Sequence, residues 1–377
     1  MKKKIRLAVI GCGGFTSGKH LPNIRNNKHF TIHALCDLNE KTLALLAGEY
    51  SPSYVTTDFS RVLCDPEVDA VVIGTKPSFR LPIMKGAVEN SKHIFVEKPM
   101  SMEYEETLAM YHLVKDSRVK FMVGHNRPYS PIMQDVKNLF KQARVNSPAE
   151  HNNTLITYRI IGEAYLWPEH HRSSIYRGES TIIHELTHVF DLLNWLTGNT
   201  PQSVFASGGG SMDNIITLVY PENIHAVIVS GDNGSAGFPK EYLEIATNHN
   251  VISARSFVEL AWAGKQIGHG KKLYPFIIND KGKSLPIGEY EDLLWKLRDS
   301  VTEEERAVGY YYKKFPVENK GHYEEFNAFY RHIIDNEPLA ADARQNALNT
   351  LIALAAIRSL GSSLPVDLVR EFSSINW

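Results

Sequence analysis

Residues 184–188 read His-Glu-Leu-Thr-His, two imidazoles four apart with a carboxylate between them. On a helix His184 and His188 share one face, where both could ligate zinc with Glu185 as general base. The same spacing would set polar groups beside any ligand that this face meets. A zinc protease also needs a third ligand on a following segment, and no His-x-x-Gly-x-x-His continuation follows His188. A metal held by His184, His188 and a substrate, with His170 and His171 close by, is the alternative that demands less. The rest of the chain speaks against zinc, so no metal is expected here.

A second constellation lies near the N-terminus. Residues 5–10 are apolar but for Arg6 and run into Gly11-Cys12-Gly13-Gly14-Phe15-Thr16. Between a strand and a helix, the first glycine permits a tight turn and the second lets the backbone approach a pyrophosphate at the helix N-terminus. Thr16 replaces the third glycine of that pattern. Asp37 closes the next apolar run, 26 residues after Gly11. A carboxylate there can accept hydrogen bonds from the adenosine ribose diol and repels a 2′-phosphate. The expected cofactor is therefore NAD rather than NADP, with Lys41 tempering the preference. Glu97-Lys98-Pro99 follows a later apolar run, at the carboxyl edge where open parallel sheets bind ligands. An ammonium there can hydrogen-bond a substrate hydroxyl and favour its ionised form. Thr75, Pro77, Asn126 and Arg127, at other strand ends, complete the expected cofactor contacts.

These side chains need a frame. Apolar runs at 5–10, 31–36, 70–73, 93–96 and 121–123 alternate with helical periodicity near 43–49, 82–89 and 104–114. Continuous apolar strands between helices indicate a parallel sheet covered on both faces, a doubly wound Rossmann domain over residues 1–125. After about Asn126 the runs alternate at period two, as in Thr154-Leu155-Ile156-Thr157-Tyr158 and in 214–220, 225–230 and 242–247. That pattern predicts an α+β second domain over 126–377, built on a large, mostly antiparallel sheet with one covered face. A helical stripe at Ile182, Leu186, Val189, Leu192, Leu193 and Leu196 ends at Gly198. Two amphipathic helices from about 322 are expected to close this domain. Residues 262–318 carry the weakest pattern, with a charged helical piece near 289–314.

The chain resembles the glucose–fructose oxidoreductase/inositol dehydrogenase/MocA family of oxidoreductases over nearly its whole length. The resemblance is carried by Gly11-Cys12-Gly13 with His20-Leu21-Pro22, by Cys36-Asp37 and by Glu97-Lys98-Pro99. It continues through Val123-Gly124-His125-Asn126-Arg127 with Pro131, then His188-x-x-Asp191-Leu192 and Lys320-Gly321-His322. It implies that Lys98 and His188 form the reactive pair, with hydride leaving a sugar or polyol carbon for NAD while the histidine takes the hydroxyl proton. The chain also departs from the family pattern. His184 stands where relatives commonly have aspartate, Glu185 follows it as in one subgroup, and Pro128 replaces a frequent arginine. The glycine loop is one residue longer before His20.

The expected function is an NAD-dependent oxidoreductase of a sugar, glycoside or cyclic polyol, with Lys98, His188, His184 and Glu185 as the catalytic set. The alternatives are a hydrolase or lyase that oxidises a glycoside transiently with bound NAD, a non-catalytic NAD sensor, and the zinc hydrolase. Tyr165, Trp167 and Tyr176 could wall a sugar ring, with His170 and His171 beside it. With Lys+Arg 41 against Asp+Glu 42, the 377-residue chain has no charge footprint for nucleic acid or an anionic membrane. No apolar run reaches membrane-spanning length, and residues 5–10 are too short a core for a signal peptide. Three cysteines without paired spacing suit a reducing compartment, so a cytoplasmic protein is expected. The open face of the second sheet, with Val227 and Val229, is expected to join copies into a dimer or tetramer.

Overall fold

Residues 5–10, apolar but for Arg6, become a central strand of a sheet because both of its faces are covered. The computed structural model describes residues 4–145, 153–163, 180–209, 212–307 and 314–377. The described chain divides into two compact units. The first holds Met1–Tyr129, Gly321–Leu354 and Trp377, and the second holds Ser130–Lys320 and Ala355–Asn376.

In the first unit six parallel strands form one sheet. They are β1 (Ile5–Ile10), β2 (Phe30–Cys36), β3 (Tyr54–Thr56), β4 (Ala70–Ile73), β5 (His93–Val96) and β6 (Phe121–Val123), in the order β3-β2-β1-β4-β5-β6. The chain winds outward from β1 to β3 and then returns to β4, so the direction reverses between β1 and β4. Ligands bind at such a switch point in doubly wound sheets. One face of the sheet buries Val9, Val72, Phe95 and Met122, and the other buries Ile10, Ile73, Val96 and Val123. This is the Rossmann architecture read from the sequence.

The C-terminal helices differ from expectation. The helix His322–Asp335 packs Phe326, Phe329 and Tyr330 into the first unit's core, against Phe30 and Phe95. Ala347 of the helix Ala343–Ser362 joins the core on the other face, and Trp377 packs on Tyr111 with ring centroids 5.3 Å apart. An amphipathic stripe shows which face of a helix is buried but not against which partner. The chain order therefore misassigned them.

Among the described residues the second unit carries a nine-stranded sheet in the order β14 (Gly268–Leu273), β13 (Glu259–Gly264), β12 (Asn250–Arg255), β11 (Glu241–Thr247), β7 (Thr154–Ile161), β10 (Ile224–Gly231), β9 (Asn214–Tyr220), β8 (Ser203–Gly208) and the short strand Val366–Asp367. Its centre is β7, β10, β9 and β11. β7 and β10 run parallel, and the other pairs are antiparallel. Alternation holds along the strands: Ile156, Ile216, Ile228 and Ile245 are buried while Leu155, Ile215 and His225 are exposed. The poorly patterned stretch contains further strands and the helix Ile287–Asp299. Their small separate core is Val258, Phe276, Ile278, Tyr290 and Leu294.

Candidate active site

In the first unit the loops leaving the parallel strands are tied together in spatial order. Gly11 N–H donates to Cys36 O, Gly74 N–H to Ile10 O, Glu97 N–H to Ile73 O and Gly124 N–H to Val96 O, all at 2.8 to 3.0 Å. Gly11 adopts φ +90°, and a Cβ on it would lie 2.6 Å from Thr75 N. Glycine is therefore required by both conformation and space. Gly13 and Gly14 instead face open space, with nothing within 4 Å of an added Cβ. That is the clearance a pyrophosphate needs at a helix start. Asp37 accepts from Cys12 N–H at 2.7 Å and from Asn39 N–H at 2.8 Å, one bond to each oxygen. Each oxygen keeps a lone pair for a diol.

Thr16 is buried, and a Cβ on Gly74 would run into its side chain and into Gly11 O. The close approach made by the third glycine of the usual pattern is thus supplied from the facing strand end. Thr75, just after Gly74, has a buried hydroxyl without a protein partner. Pro77 opens a single 3₁₀ turn, Pro77–Phe79, that leads into the helix Arg80–Glu89.

Behind the Glu97-Lys98-Pro99 turn lies a buried charge cluster. The Lys98–Pro99 peptide is cis. Glu97 Oε1 lies 2.5 Å from His20 Nε2, and Glu97 Oε2 accepts from Lys98 N–H at 3.1 Å. Burial alone would push the Glu97 carboxyl up, but His20, Lys98 and Arg80 outweigh it and hold it below its ordinary range. Arg80 is buried and donates to Thr75 O from Nε at 3.0 Å and from Nη2 at 2.9 Å, and from Nη1 to Glu97 O and Pro99 O. One guanidinium therefore staples two strand-end loops. Neither Arg80 nor the role of His20 was read from the sequence; an arginine opening a helix passes there for a solvated charge. His125, Asn126 and Arg127 are all buried after β6, and His125 Nδ1 meets Asn346 Oδ1 at 2.9 Å. Burial pushes the His125 imidazole down to about 4.

In the second unit the His184–His188 segment is not one helix. The helix Thr181–His184 ends at Glu185, and a new one, Thr187–Thr197, begins after Leu186. His188 N–H donates to Glu185 O at 3.3 Å, three residues back, so the i to i+4 ladder is interrupted between the two histidines. Glu185 is engaged as well, with its Oε1 2.7 Å from Lys240 Nζ. Among the described residues no group of three His, Cys, Asp or Glu could hold a metal ion. His184 and His188 do not stand on one continuous helix. His188 is buried, with Asp191 and Asn194 below it on the same helix. Lys240 and Asp232, which sequence reasoning missed, stand just outside β11 and β10, at the same end of the sheet's central strands. Burial pushes the Asp232 carboxyl up to about 6; Lys240 opposes the shift, and Glu185 and Asp213 add to it. Charged residues bordering period-two runs were the available signal. Tyr165, Trp167, His170, His171 and Tyr176 lie outside the described residues.

The model of an oxidoreductase family with an NAD-binding Rossmann fold, GFO_IDH_MocA, matches residues 5–125. The oxidoreductase YrbE of Bacillus subtilis is 28% identical over 269 residues, 68% of this chain and 75% of that protein. A myo-inositol 2-dehydrogenase of Thermotoga maritima is 22% identical over 97% of this chain and 98% of its own length. The crystal structure of scyllo-inositol dehydrogenase from Lactobacillus casei with NAD(H) and scyllo-inositol shares the fold, with a TM-score of 0.72 at 19% identity. It covers 97% of this chain and 100% of its own. The first unit is thus similar to the NAD-binding domain of the Gfo/Idh/MocA oxidoreductases, and the chain as a whole shares the fold of the inositol dehydrogenase.

The model matched over residues 5–125 is of an NAD-binding fold, and the first unit fits that cofactor: clearance over Gly13 and Gly14, lone pairs on Asp37, and an unpartnered hydroxyl on Thr75. The segment that follows the glycine loop has its own local geometry. Thr16–His20 forms a π-helical turn in which Leu21 N–H reaches back five residues to Thr16 O. Such a turn absorbs one extra residue without ending the helix. His20 is thereby still delivered to Glu97.

Proposed function

We propose that this protein is an NAD-dependent dehydrogenase of a sugar or cyclic polyol, with Lys98 and His188 handling the hydroxyl proton. The observation that carries the reading is the Lys98 turn at the carboxyl ends of the parallel strands, fixed from behind by Glu97 and Arg80. Relatives that act on inositols support the substrate class. Oxidising a CH–OH group removes the hydroxyl proton together with the carbon-bound hydrogen and its electron pair. Bound NAD supplies the acceptor for that hydride. Lys98 donates a hydrogen bond to the substrate oxygen and steadies the negative charge that grows there. His188 accepts the proton at an imidazole nitrogen. Glu185, paired with Lys240, orients its surroundings, and His184 positions substrate. Screening inositols, aldoses and glycosides for NADH formation tests this. NADH rising with substrate consumption supports it. Glycoside cleavage without net NADH would replace it with transient oxidation, and no turnover at all would favour a sensor.

Cofactor choice rests on Asp37. NAD is expected to bind more tightly than NADP, and Asp37→Ser is expected to narrow the gap by about tenfold, roughly 1.4 kcal/mol. Fluorescence titration with both cofactors measures this, and an unchanged ratio would remove Asp37 from the ribose.

The open sheet face of the second unit is proposed as the contact between copies of this chain. Ile215 and Leu155 are 51% and 62% exposed there, beside half-buried Val219, Val227 and Val229. An apolar sheet face of this kind is a liability unless covered. Light scattering at micromolar concentration is expected to give a dimer or tetramer, and a monomer alone would overturn this. A reducing cytoplasm suits the thiols: burial and the Asp37 charge push both Cys12 and Cys36 up to about 12.

A further inference from the structure

The helix His322–Asp335 opens with two adjacent glutamates, and only one of them is deeply buried. Glu325 is 1% exposed, one turn before Phe329 on the apolar stripe. Its neighbour Phe326 stacks on Phe95 at 4.8 Å and meets the His20 ring edge-on at 5.4 Å. Phe95 meets the same histidine at 5.4 Å from another side, and Phe15 does so at 5.2 Å. The His20–Glu97 pair is thus enclosed by aromatic rings, with the Glu325 carboxyl near enough for the Glu97 charge to bear on it.

The two carboxyls are provided for very differently. Both oxygens of Glu97 have donors, the His20 ring and the Lys98 N–H. Glu325 has one long contact, Oε1 to His322 Nδ1 at 3.3 Å, and its Oε2 is buried with no protein partner. Two carboxylates confined to one low-dielectric space do not both ionise, and the better-solvated one takes the charge. The charged and titratable groups around them are His20, Arg80, Glu97 and Lys98, His125 and Arg127 after β6, and His322 and Glu324 on the same helix.

We propose that Glu325 is a positioning residue, a neutral carboxyl that leaves Glu97 as the single buried anion behind the Lys98 turn. It touches neither cofactor nor substrate in this role. It acts through Glu97, whose hold on the Lys98 N–H fixes the turn. A second negative charge there would compete for His20 and Arg80 and loosen that hold. The inference rests on the reading of Lys98 as a site residue.

Burial, with Glu97 and Glu324 adding to it, raises the Glu325 carboxyl well above its ordinary range. A raised carboxyl favours the folded state at acid pH. That contribution is lost as pH climbs from about 4.3, the unfolded value, through the raised one. Glu325→Gln removes this slope. The stability gap between variant and wild type is therefore expected to widen in the variant's favour as pH rises.

Three proteins are compared: wild type, Glu325→Gln and Glu325→Asp. Thermal unfolding, NAD affinity by fluorescence titration, and kcat and KM are followed from about pH 6 to about pH 9. Glu325→Gln is expected to bind NAD within about threefold of wild type at pH 6 and to keep that affinity, while wild type and Glu325→Asp weaken by about fivefold or more as pH rises. Turnover should follow the same pattern in kcat. A Gln variant that repeats the wild-type pH profiles overturns the proposal. So does one that fails to fold while the Asp variant folds, since a neutral isostere must fit where a neutral acid does. NAD binding without NADH formation from any polyol would overturn the dehydrogenase reading alone, because the affinity profiles still report on Glu325.

Discussion

Replacing Lys98 or His188 by alanine is expected to lower turnover by roughly two to four orders of magnitude. The two losses have different causes. Without Lys98 the substrate oxygen loses its positive neighbour as negative charge grows on it, so the deficit should fall on kcat and kcat/KM together. In the proposed mechanism His188 accepts the proton and does not hold the cofactor, so His188→Ala should leave NAD affinity near the wild-type value. His184→Ala is expected to act mainly on KM, since a residue that only positions substrate contributes uniform binding.

The same set of variants separates this mechanism from metal-dependent hydrolysis. In a zinc protease His184, Glu185 and His188 would be equally essential, Lys98 dispensable, and a chelator would silence the enzyme. The helix interruption at Glu185–Leu186 and the Glu185–Lys240 pair favour the other outcome. Activity lost to a chelator while Lys98→Ala still works would overturn the dehydrogenase mechanism.

What could be read in advance followed the reach of each physical signal. β4 and β6 begin and end where their apolar runs do, because strands covered on both faces leave little room for polar residues; the exceptions, Arg6 in β1 and His93 in β5, stand near the strand starts and are half-buried. β3 has three half-buried residues at the sheet edge, too few to leave a pattern. β14 carries Gly268, His269, Lys271 and Lys272 on an edge, where pairing constrains side chains least. The break within His184–His188 coincides with an ion pair to a residue 55 positions away, so no local window contains it. Glycines and acidic strand ends could be read because their chemistry is local. The supports behind Lys98 could not, because they come from three distant segments. Glu325 left one usable trace: it sits on the same helical stripe as Phe329, where a carboxylate has no place unless buried and neutral.

Arg80→Leu is expected to destabilise the first unit by about 3–5 kcal/mol, the scale seen when one partner of a buried charged network is removed. The guanidinium donates to three backbone carbonyls, those of Thr75, Glu97 and Pro99, and lies within reach of the Glu97 charge. Leucine fills much of the volume but leaves those carbonyls buried without donors, at about 1–3 kcal/mol for each that water cannot reach. Removing the cation also withdraws one of the influences that hold the Glu97 carboxyl below its ordinary range, so that carboxyl should titrate at higher pH. Because the chain has two units, unfolding need not be two-state, and the loss should appear in the transition that NAD shifts. Arg80→Lys is expected to recover only part of the loss, since one ammonium cannot span both loops. A variant that melts with the wild type and binds NAD equally well would show that the two loops hold their places without this staple.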